Sequence, residues 1–137
     1  MKIQEPTKDD IYAVELGLYN YNKSKVPFTQ TPESFRHTRV VKDGERVVAG
    51  IIADVYLWKI LSIDILWVDE EYRGRGYGEM LMNDTENAAR EFGCTLSHLD
   101  TFDFQAREFY EKIGYTIFGT LEDCPEGHKR YYMSKKL

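Results

Sequence analysis

The sequence has 137 residues, of which 42% are hydrophobic and 14% aromatic, a composition typical of one globular domain that buries a core without metal or disulfide cross-links. We therefore expect residues 1–137 to form a single domain. The net charge of −5 argues against general binding to nucleic acid or to anionic membranes, since both need excess Lys and Arg.

The N-terminus and the cysteines indicate the compartment. The start, MKIQEPTKDD, is charged and lacks the apolar centre of a signal peptide. No uninterrupted apolar run reaches the ~18 residues of a membrane span, so we expect a cytoplasmic protein. Cys94 and Cys124 lie 30 residues apart without a CxxC motif or paired histidines, which favours reduced thiols over a zinc site. We expect no bound metal.

The first half of the chain predicts one helix followed by three antiparallel strands. Apolar residues recur at helical spacing behind Pro6-Thr7 and predict a helix from Thr7 to about Lys25, with a kink at Gly17. The two prolines of VPFTQTPE then indicate a loop. Strands are predicted at Phe35–Val41, Arg46–Tyr56 and Ile60–Val68, joined by turns at Asp43-Gly44 and at Leu57-Trp58-Lys59.

The second half predicts two helices and three strands after the glycine-rich stretch YRGRGYG. The first helix is predicted over Tyr77–Phe92 and is stopped by Gly93, and a strand follows over Thr95–Asp100. The second helix is capped by Asp103 and stopped by Gly114, and its apolar face consists of Ala106, Phe109, Tyr110 and Ile113. The last two strands are predicted over Tyr115–Leu121 and Lys129–Lys135. The order is α-βββ-α-β-α-ββ. Because a strand–helix–strand unit brings its two strands parallel, we expect a mostly antiparallel sheet with one parallel pair.

The stretch from Arg73 to Gly78 places three glycines and two arginines between a strand and a helix. A helix N-terminus has unpaired N–H groups and the positive end of the helix dipole, and glycines let an anion approach the backbone. The Rossmann fingerprint needs glycine where Glu79 stands, and no P-loop string occurs. The stretch is therefore predicted to bind a phosphate group of a ligand that is neither a dinucleotide nor a nucleoside triphosphate. The alternative is a glycine-rich turn whose arginines are solvated.

The pattern R-x-x-G-x-G of Arg73, Gly76 and Gly78 resembles the acyl-CoA pyrophosphate loop of the GNAT superfamily of N-acetyltransferases. ILWVDEEYRGRGYGEMLM resembles that family's strand, loop and helix, and FQAREFYEKIGY resembles its later helix. The resemblance implies an α/β fold with a mixed, mostly antiparallel sheet, one splayed parallel strand pair and helices on both faces. It also implies a single acetyltransferase domain that transfers an acetyl group directly from acetyl-CoA to a primary amine of a small molecule or protein.

The resemblance further implies which residues bind acetyl-CoA. The pantetheine arm is expected beside Leu66, Trp67 and Val68, with the Val68 N–H polarising the thioester carbonyl, and the pyrophosphate at Arg73, Gly74, Arg75, Gly76, Tyr77 and Gly78. Many members carry Asn where this chain has Asp103, and a carboxylate near phosphates is unfavourable. We therefore assign Asp103 to helix capping and Gln105 to the polar cofactor contact.

Two side chains are predicted to move protons. Tyr110 falls where the family places the phenol that protonates the CoA sulfur, although a tyrosine on an apolar helix face is more often core. Histone-type members carry a glutamate where Ser62 stands. Asp64, two residues on and on the same strand face, is the expected proton acceptor, with an edge carboxylate paired with lysine as the alternative. His98 and His128 are weaker candidates.

Two other function classes compete with the enzyme. A non-catalytic acyl-CoA-binding sensor would need no acid beside the sulfur, so Tyr110 argues against it. A nucleic-acid-binding domain using Arg73 and Arg75 is disfavoured by the acidic balance and by the missing aromatic strand motif. The amine acceptor, the general base, the acyl group and the oligomeric state are left open, with a homodimer as one option.

Overall fold

The computed structural model describes all 137 residues as three α-helices, one short 3₁₀ helix and six strands. The helices are α1 (Lys8–Lys25), α2 (Tyr77–Phe92) and α3 (Arg107–Lys112), and the 3₁₀ helix is Glu70–Tyr72. The strands are β1 (Ser34–Asp43), β2 (Arg46–Tyr56), β3 (Ile60–Val68), β4 (Leu96–Phe102), β5 (Thr116–Glu122) and β6 (Lys129–Lys136). The predicted element order is confirmed.

The six strands form one mixed sheet in the order β1-β2-β3-β4-β6-β5. Every neighbouring pair is antiparallel except β3 and β4, which α2 connects. Their parallel pairing covers only Ile60–Ile63 against Leu96–Leu99. Beyond these residues both strands continue without pairing to each other. The predicted mixed sheet with one splayed parallel pair is confirmed.

A β-bulge lies where β3 leaves β4. Ile52 of β2 pairs with Ile65 while Ala53 pairs with Ile63, so Asp64 is an extra residue on β3 without a partner in the register. A bulge bends its strand and increases the local twist. The bulge follows Ile63 directly, the last residue of β3 that pairs with β4, and so coincides with the point of separation.

One face of the sheet, the core face, is covered by α2 and α3. Its buried apolar residues are Ala49, Ile51, Ala53 and Val55 of β2, Leu61 and Ile63 of β3, Leu99 of β4, and Tyr131 and Met133 of β6. Leu81, Met82 and Ala89 of α2 and Tyr110 of α3 pack into the same cluster. Removal of this apolar surface from water is the main stabilising contribution to the fold.

The opposite face of the sheet, the open face, has no helix packed on it within the chain. Val40, Ile52, Ile65 and Trp67 point to this face, because Val40 pairs with Gly50, which also pairs with Trp67, while Ile52 pairs with Ile65. No residue of α1 is buried. Helices on both faces of the sheet were predicted, whereas in the single chain both α2 and α3 lie on the core face and α1 lies apart from the sheet.

Helix α1 begins with a capping box and is held at its C-terminal half. The Thr7 Oγ1 accepts from the Asp10 N–H at 3.2 Å, and the Asp10 carboxylate accepts from the Thr7 N–H at 2.8 Å. The Tyr19 hydroxyl donates to Glu33 at 2.5 Å and its ring contacts Phe28 at 5.3 Å. The helix is continuous from Lys8 to Lys25 through Gly17.

Candidate active site

A cleft of about 730 Å³ opens where β3 and β4 separate. Its walls are the second half of β3, the glycine loop with the start of α2, the end of β4 and the first part of α3. Eleven of the twelve predicted site residues line it, namely Asp64, Leu66, Trp67, Val68, Arg73, Gly74, Gly76, Tyr77, Gly78, Gln105 and Tyr110. The fold thus brings together residues that are up to 46 positions apart, from Asp64 to Tyr110.

Arg75 is the predicted residue that does not line the cleft. Its Nη2 donates to the Glu71 carbonyl oxygen at 3.0 Å, and its guanidinium lies 4.9 Å from the centre of the Tyr72 ring. The side chain therefore fastens the loop to the preceding 3₁₀ helix. The expected contact of Arg75 with the pyrophosphate is through its backbone N–H, and the side chain turns back toward the residues before the loop.

The N-terminus of α2 reaches the cleft without a side-chain cap. Its N-cap is Gly76, which makes no capping hydrogen bond, and the first helical N–H with a partner in the helix is that of Met80, which donates to the Gly76 oxygen at 3.0 Å. The N–H groups of Tyr77, Gly78 and Glu79 precede this bond and have no intrahelical acceptor. An uncapped helix N-terminus of this kind is suited to an anion.

The three glycines of the loop have different structural reasons. Gly74 and Gly76 have φ of +74° and +84°, which L-residues with a side chain rarely adopt. A Cβ at either position would meet open space, so the backbone conformation alone requires glycine there. A Cβ at Gly78 would lie 3.3 Å from Cζ of Phe109, so Gly78 permits the close contact between α2 and α3 beside the cleft.

The end of β3 presents backbone polar groups to the cleft. The Asp69 N–H donates to the Val48 oxygen of β2 at 2.8 Å. Because consecutive residues of a strand direct their N–H and C=O groups to opposite edges, those of Val68 point away from β2. Consistent with this, Nε of Arg73 donates to the Val68 oxygen at 3.1 Å. The Val68 N–H is therefore available on the cleft side, as the oxyanion hypothesis requires.

Tyr110 is 6% exposed and lines the cleft from α3. Its ring contacts those of Phe109 and Tyr115 with centroid distances of 5.2 and 5.9 Å. Burial, and after it the negative charge of Asp100, raise the pKa of Tyr110 to about 12. No hydrogen bond from another side chain contributes to this shift, so Tyr110 is a protonated phenol in the wall of the cleft.

Asp64 belongs to a group of two carboxylates and one arginine. Burial first, and then the neighbouring Asp54, raise the pKa of Asp64, against smaller opposing effects of the Ser62 hydroxyl and Arg36. Asp54 accepts two Arg36 hydrogen bonds at 3.2 Å, which lower its pKa. Ser62 donates to Asp64 at 3.2 Å. Asp64 is thus the carboxylate of the pair that takes up a proton more readily, and its cation is an arginine, not the lysine of the alternative interpretation.

Asp103 does not cap α3, contrary to the prediction. The helix starts after Ala106, and no side chain caps it. The Asp103 carboxylate instead accepts from the Lys129 N–H and from Nδ1 of His128, both at 2.9 Å, which ties this loop to β6. The Oε1 of Gln105 accepts from the Phe102 N–H at 2.9 Å, so Gln105 stabilises the turn into α3 while it lines the cleft.

Several residues of the cleft were not predicted, among them Tyr72, Asp100, Phe104 and Phe109. Phe104 stacks on Phe102 with a centroid distance of 5.3 Å, and the string FDF at the end of β4 could have indicated an aromatic wall. The weaker candidates lie outside the cleft lining. His98 shares a 2.8 Å hydrogen bond with the Tyr56 hydroxyl, and His128 is bound to Asp103.

The His, Cys, Asp and Glu side chains form no metal site, and the cysteines form no disulfide. No group of three or more His, Cys, Asp or Glu side chains is arranged to hold a metal ion. Both cysteines are free thiols, with Cys94 buried. None of the helices combines the length and the apolar character needed to span a membrane.

Comparison with known proteins identifies the family. Residues 5–115 match the model of the acetyltransferase (GNAT) family. The chain belongs to this family. A blasticidin-S acetyltransferase of Streptomyces morookaense is 40% identical to this GNAT member over 97 residues, which are 69% of this chain and 71% of that protein.

Solved structures of acetyltransferases share the fold. A crystal structure of an acetyltransferase from Bacillus cereus ATCC 14579 is 36% identical, with a TM-score of 0.90 over 100% of this chain and 98% of that chain. An aminoglycoside 6'-N-acetyltransferase complexed with coenzyme A is 19% identical and shares the fold, with a TM-score of 0.65 over 99% of this chain and 97% of that chain. The predicted family, fold class and acetyltransferase activity are confirmed, and the non-catalytic sensor is set aside.

Proposed function

We propose that the cleft binds acetyl-CoA and that the enzyme transfers its acetyl group directly to an amine of a small cationic molecule. The observation that carries this is the N-terminus of α2, which has Gly76 at the N-cap position and no side-chain cap, and which opens onto the gap between β3 and β4. Free N–H groups and the helix dipole favour a pyrophosphate there, and Arg73 adds a positive charge. The apolar residues Leu66 and Val68 suit the pantetheine arm. We also propose that residues 1–137 act as one acetyltransferase domain.

Bound acetyl-CoA supplies the thioester whose acetyl group is transferred. The Val68 N–H, on the cleft side of β3, is suited to donate to an oxygen that gains negative charge during the reaction. Tyr110 holds its proton at neutral pH because its pKa is raised to about 12, and its hydroxyl can donate a hydrogen bond to a sulfur that becomes a thiolate. These two donors would act on the two atoms where charge develops.

Asp64 is proposed as the proton acceptor for the attacking amine. It lines the cleft on the side of the open face, where Asp54 and Ser62 also lie. A carboxylate whose pKa is raised, as that of Asp64 is by burial and by Asp54, binds a proton more readily than an ordinary one. Removal of a proton through Asp64 would leave the amine neutral and nucleophilic.

The acceptor is proposed to be a small antibiotic-type amine. The 40% identical relative is a blasticidin-S acetyltransferase, which supports a small molecule over a protein acceptor. Arg36 is the cation that pairs with both carboxylates, with Asp54 at 3.2 Å and with Asp64 at 3.7 Å. Two negative charges therefore share one positive charge. This local excess of negative charge favours a cationic acceptor by simple attraction.

The cofactor part is tested by thermal unfolding with acetyl-CoA, NAD and ATP. A ligand that binds only the folded state stabilises it by ~2.7 kcal/mol at a hundredfold excess over its dissociation constant. We expect a clear rise in Tm with acetyl-CoA and much smaller rises with the other two. Equal shifts from all three ligands, or none from acetyl-CoA, would remove the cofactor assignment.

The acceptor part is tested by thiol release. Purified enzyme with saturating acetyl-CoA is incubated with blasticidin S, other antibiotic amines, polyamines and lysine peptides, and free CoA is measured against an acceptor-free control. We expect turnover with a small cationic amine. Turnover with peptides alone would replace the acceptor class while keeping the cofactor site.

A further inference from the structure

The chain segment that leads into α2 carries more negative than positive charge. Residues 69–79 contain four carboxylates and two guanidinium groups, which gives this segment a net charge of −2. The glycine loop in this segment is proposed to hold the pyrophosphate of acetyl-CoA, which is itself an anion. Because like charges repel, binding there requires positive charge from another part of the chain.

Arg46 supplies such a charge from the hairpin tip, residues 43–46, where β1 turns into β2. Its Nη2 lies 2.7 Å from Oδ2 of Asp69, and its Nη1 lies 3.6 Å from Oε2 of Glu71. Asp69 is the closer partner, and only 17% of its side chain is exposed, against 75% for Glu71. One guanidinium from a distant part of the chain thus faces two of the four carboxylates.

Asp43, which pairs with Arg46 across the hairpin, makes a second connection to the same segment. The Tyr72 hydroxyl donates to Oδ2 of Asp43 at 2.6 Å. The guanidinium groups of Arg46 and Arg75 lie over the Tyr72 ring, 5.8 and 4.9 Å from its centre, which is a favourable position for a cation. Since Tyr72 lines the cleft, the hairpin tip directly contacts the wall of the cleft.

We propose that the hairpin tip belongs to the cofactor site and that Arg46 is its charge-compensating residue. Arg46 acts through Asp69 and Glu71, not on acetyl-CoA itself, so it is a positioning residue. It neutralises the charge of Asp69 beside the place where Arg73 and the free N–H groups of α2 meet the pyrophosphate. The inference rests on the proposed function, because it assumes that acetyl-CoA binds in the cleft.

Asp69 allows the charge of this ion pair to be separated from its shape. Its Oδ1 accepts from the Glu71 N–H at 3.0 Å and caps the 3₁₀ helix, whereas its Oδ2 faces Arg46. An asparagine keeps an Oδ1 acceptor for the Glu71 N–H and carries no charge. Asp69→Asn therefore removes the negative charge while the cap is kept.

Isothermal titration with acetyl-CoA at low ionic strength tests the role of Arg46. We expect Arg46→Met, which keeps the length of the side chain, to raise the Kd of acetyl-CoA about tenfold, because Asp69 and Glu71 then lack a counter-charge. Arg46→Lys keeps the charge and should stay within about threefold of wild type.

Arg39→Met is the matched control on the same hairpin. The Arg39 side chain is 53% exposed, against 57% for Arg46, and its Nε lies 3.2 Å from a carboxylate oxygen of Asp84 in the middle of α2. This variant also loses an exposed arginine that is paired with an aspartate. Its Kd for acetyl-CoA should equal that of wild type.

The sign of a second effect distinguishes charge compensation from an ion pair that only holds the shape of the loop. Asp69→Asn should tighten acetyl-CoA binding about threefold, and Arg46→Met combined with Asp69→Asn should return to within about threefold of wild type. An ion pair with a structural role alone predicts weaker binding in both cases. In about 1 M salt, where the screening length is ~3 Å, the differences between the variants should nearly vanish.

Two further readouts exclude a general loss of structure. Arg46 is exposed, and exposed ion pairs contribute little to stability, so urea unfolding of Arg46→Met should match that of wild type. In steady-state kinetics the effect should appear in the KM of acetyl-CoA, whereas the KM of the amine should stay within about twofold of wild type.

The outcomes separate this inference from the proposed function. Absence of acetyl-CoA binding by the wild type would overturn the proposed function. Binding by the wild type with the same Kd for Arg46→Met would overturn the role of the hairpin tip alone, and weaker binding by Asp69→Asn would replace charge compensation with a structural ion pair. If Arg46→Met does not fold, the sign of the Asp69→Asn effect decides by itself.

Discussion

The substitution Tyr110→Phe distinguishes two ways in which a phenol can assist a leaving thiolate. The pKa of Tyr110 is raised to about 12, whereas an alkyl thiol has a pKa of about 8.5. Complete transfer of the proton from the phenol to a free thiolate is therefore uphill by about 5 kcal/mol at 1.36 kcal/mol per pKa unit. Burial thus makes Tyr110 a hydrogen-bond donor to the sulfur, not the final source of its proton.

The expected magnitude follows from this role. A hydrogen bond to a charged group contributes about 1.5–3 kcal/mol, so Tyr110→Phe should lower kcat about 10- to 150-fold. The Kd of acetyl-CoA should change little, because the donor acts where charge develops. The free energy of unfolding should stay within about 0.5 kcal/mol of wild type, since no hydrogen bond from another side chain contributes to the pKa shift of Tyr110.

Tyr115→Phe is the matched control on the neighbouring ring. The Tyr115 hydroxyl is buried and bonded to Ser97 at 2.6 Å and to Glu86 at 3.3 Å, and it does not line the cleft. This variant should lose about 1–3 kcal/mol of stability while kcat is kept. Steady-state kinetics at saturating acetyl-CoA and urea unfolding measure both quantities. An unchanged kcat for Tyr110→Phe would refute the donor role, and a drop above about 10³-fold would restore full proton transfer.

Two further substitutions test the loop and the base. Gly76→Ala should cost about 1–2 kcal/mol of stability because φ is +84° and should weaken acetyl-CoA binding in isothermal titration. Gly93→Ala, with φ of +107° at the opposite end of α2, should lose stability alone, and equal affinities of the two variants for acetyl-CoA would make the loop a simple turn. Asp54→Asn removes a carboxylate that raises the pKa of Asp64, so the acid limb of kcat/KM, where activity falls as Asp64 is protonated, should move to lower pH. A limb that stays in place would exclude Asp64 as the base.

The order of elements could be predicted because its signals are local. Alternating residues predict the strands, and glycine at +74° and +84° reflects a backbone demand that the loop makes regardless of its surroundings. Gly74 and Gly76, which the resemblance assigns to the cofactor loop, both line the cleft. Helix α1 was predicted from its periodicity, but periodicity does not say what lies opposite the apolar stripe, and in the single chain nothing does.

The errors at the site arose where two local solutions compete. Asp103 is a good capping residue by type, yet α3 starts only after Ala106, and the carboxylate finds donors on His128 and Lys129 that are 25 and 26 positions away. Gln105 stabilises the turn before α3 instead, because its side-chain oxygen accepts from the Phe102 N–H. Only the pairing of β4 with β6 brings these partners to Asp103, and a sequence does not display such a contact.

The bulge at Asp64 connects the active site with the open face. Side chains alternate between the two faces of a strand. Without the bulge, Ile65 and Trp67 would therefore lie on the core face, like the buried Ile63. The extra residue reverses this order, so Leu66 and Val68 join the core face and the cleft wall, while Ile65 is turned to the open face. Since a one-residue shift moves every following side chain to the other face, the same bulge places a carboxylate at the strand separation and exposes Ile65 on the open face. Removal of Asp64 would therefore disrupt the cofactor wall and the sheet surface together, which Asp64→Asn, a change of charge alone, would not do.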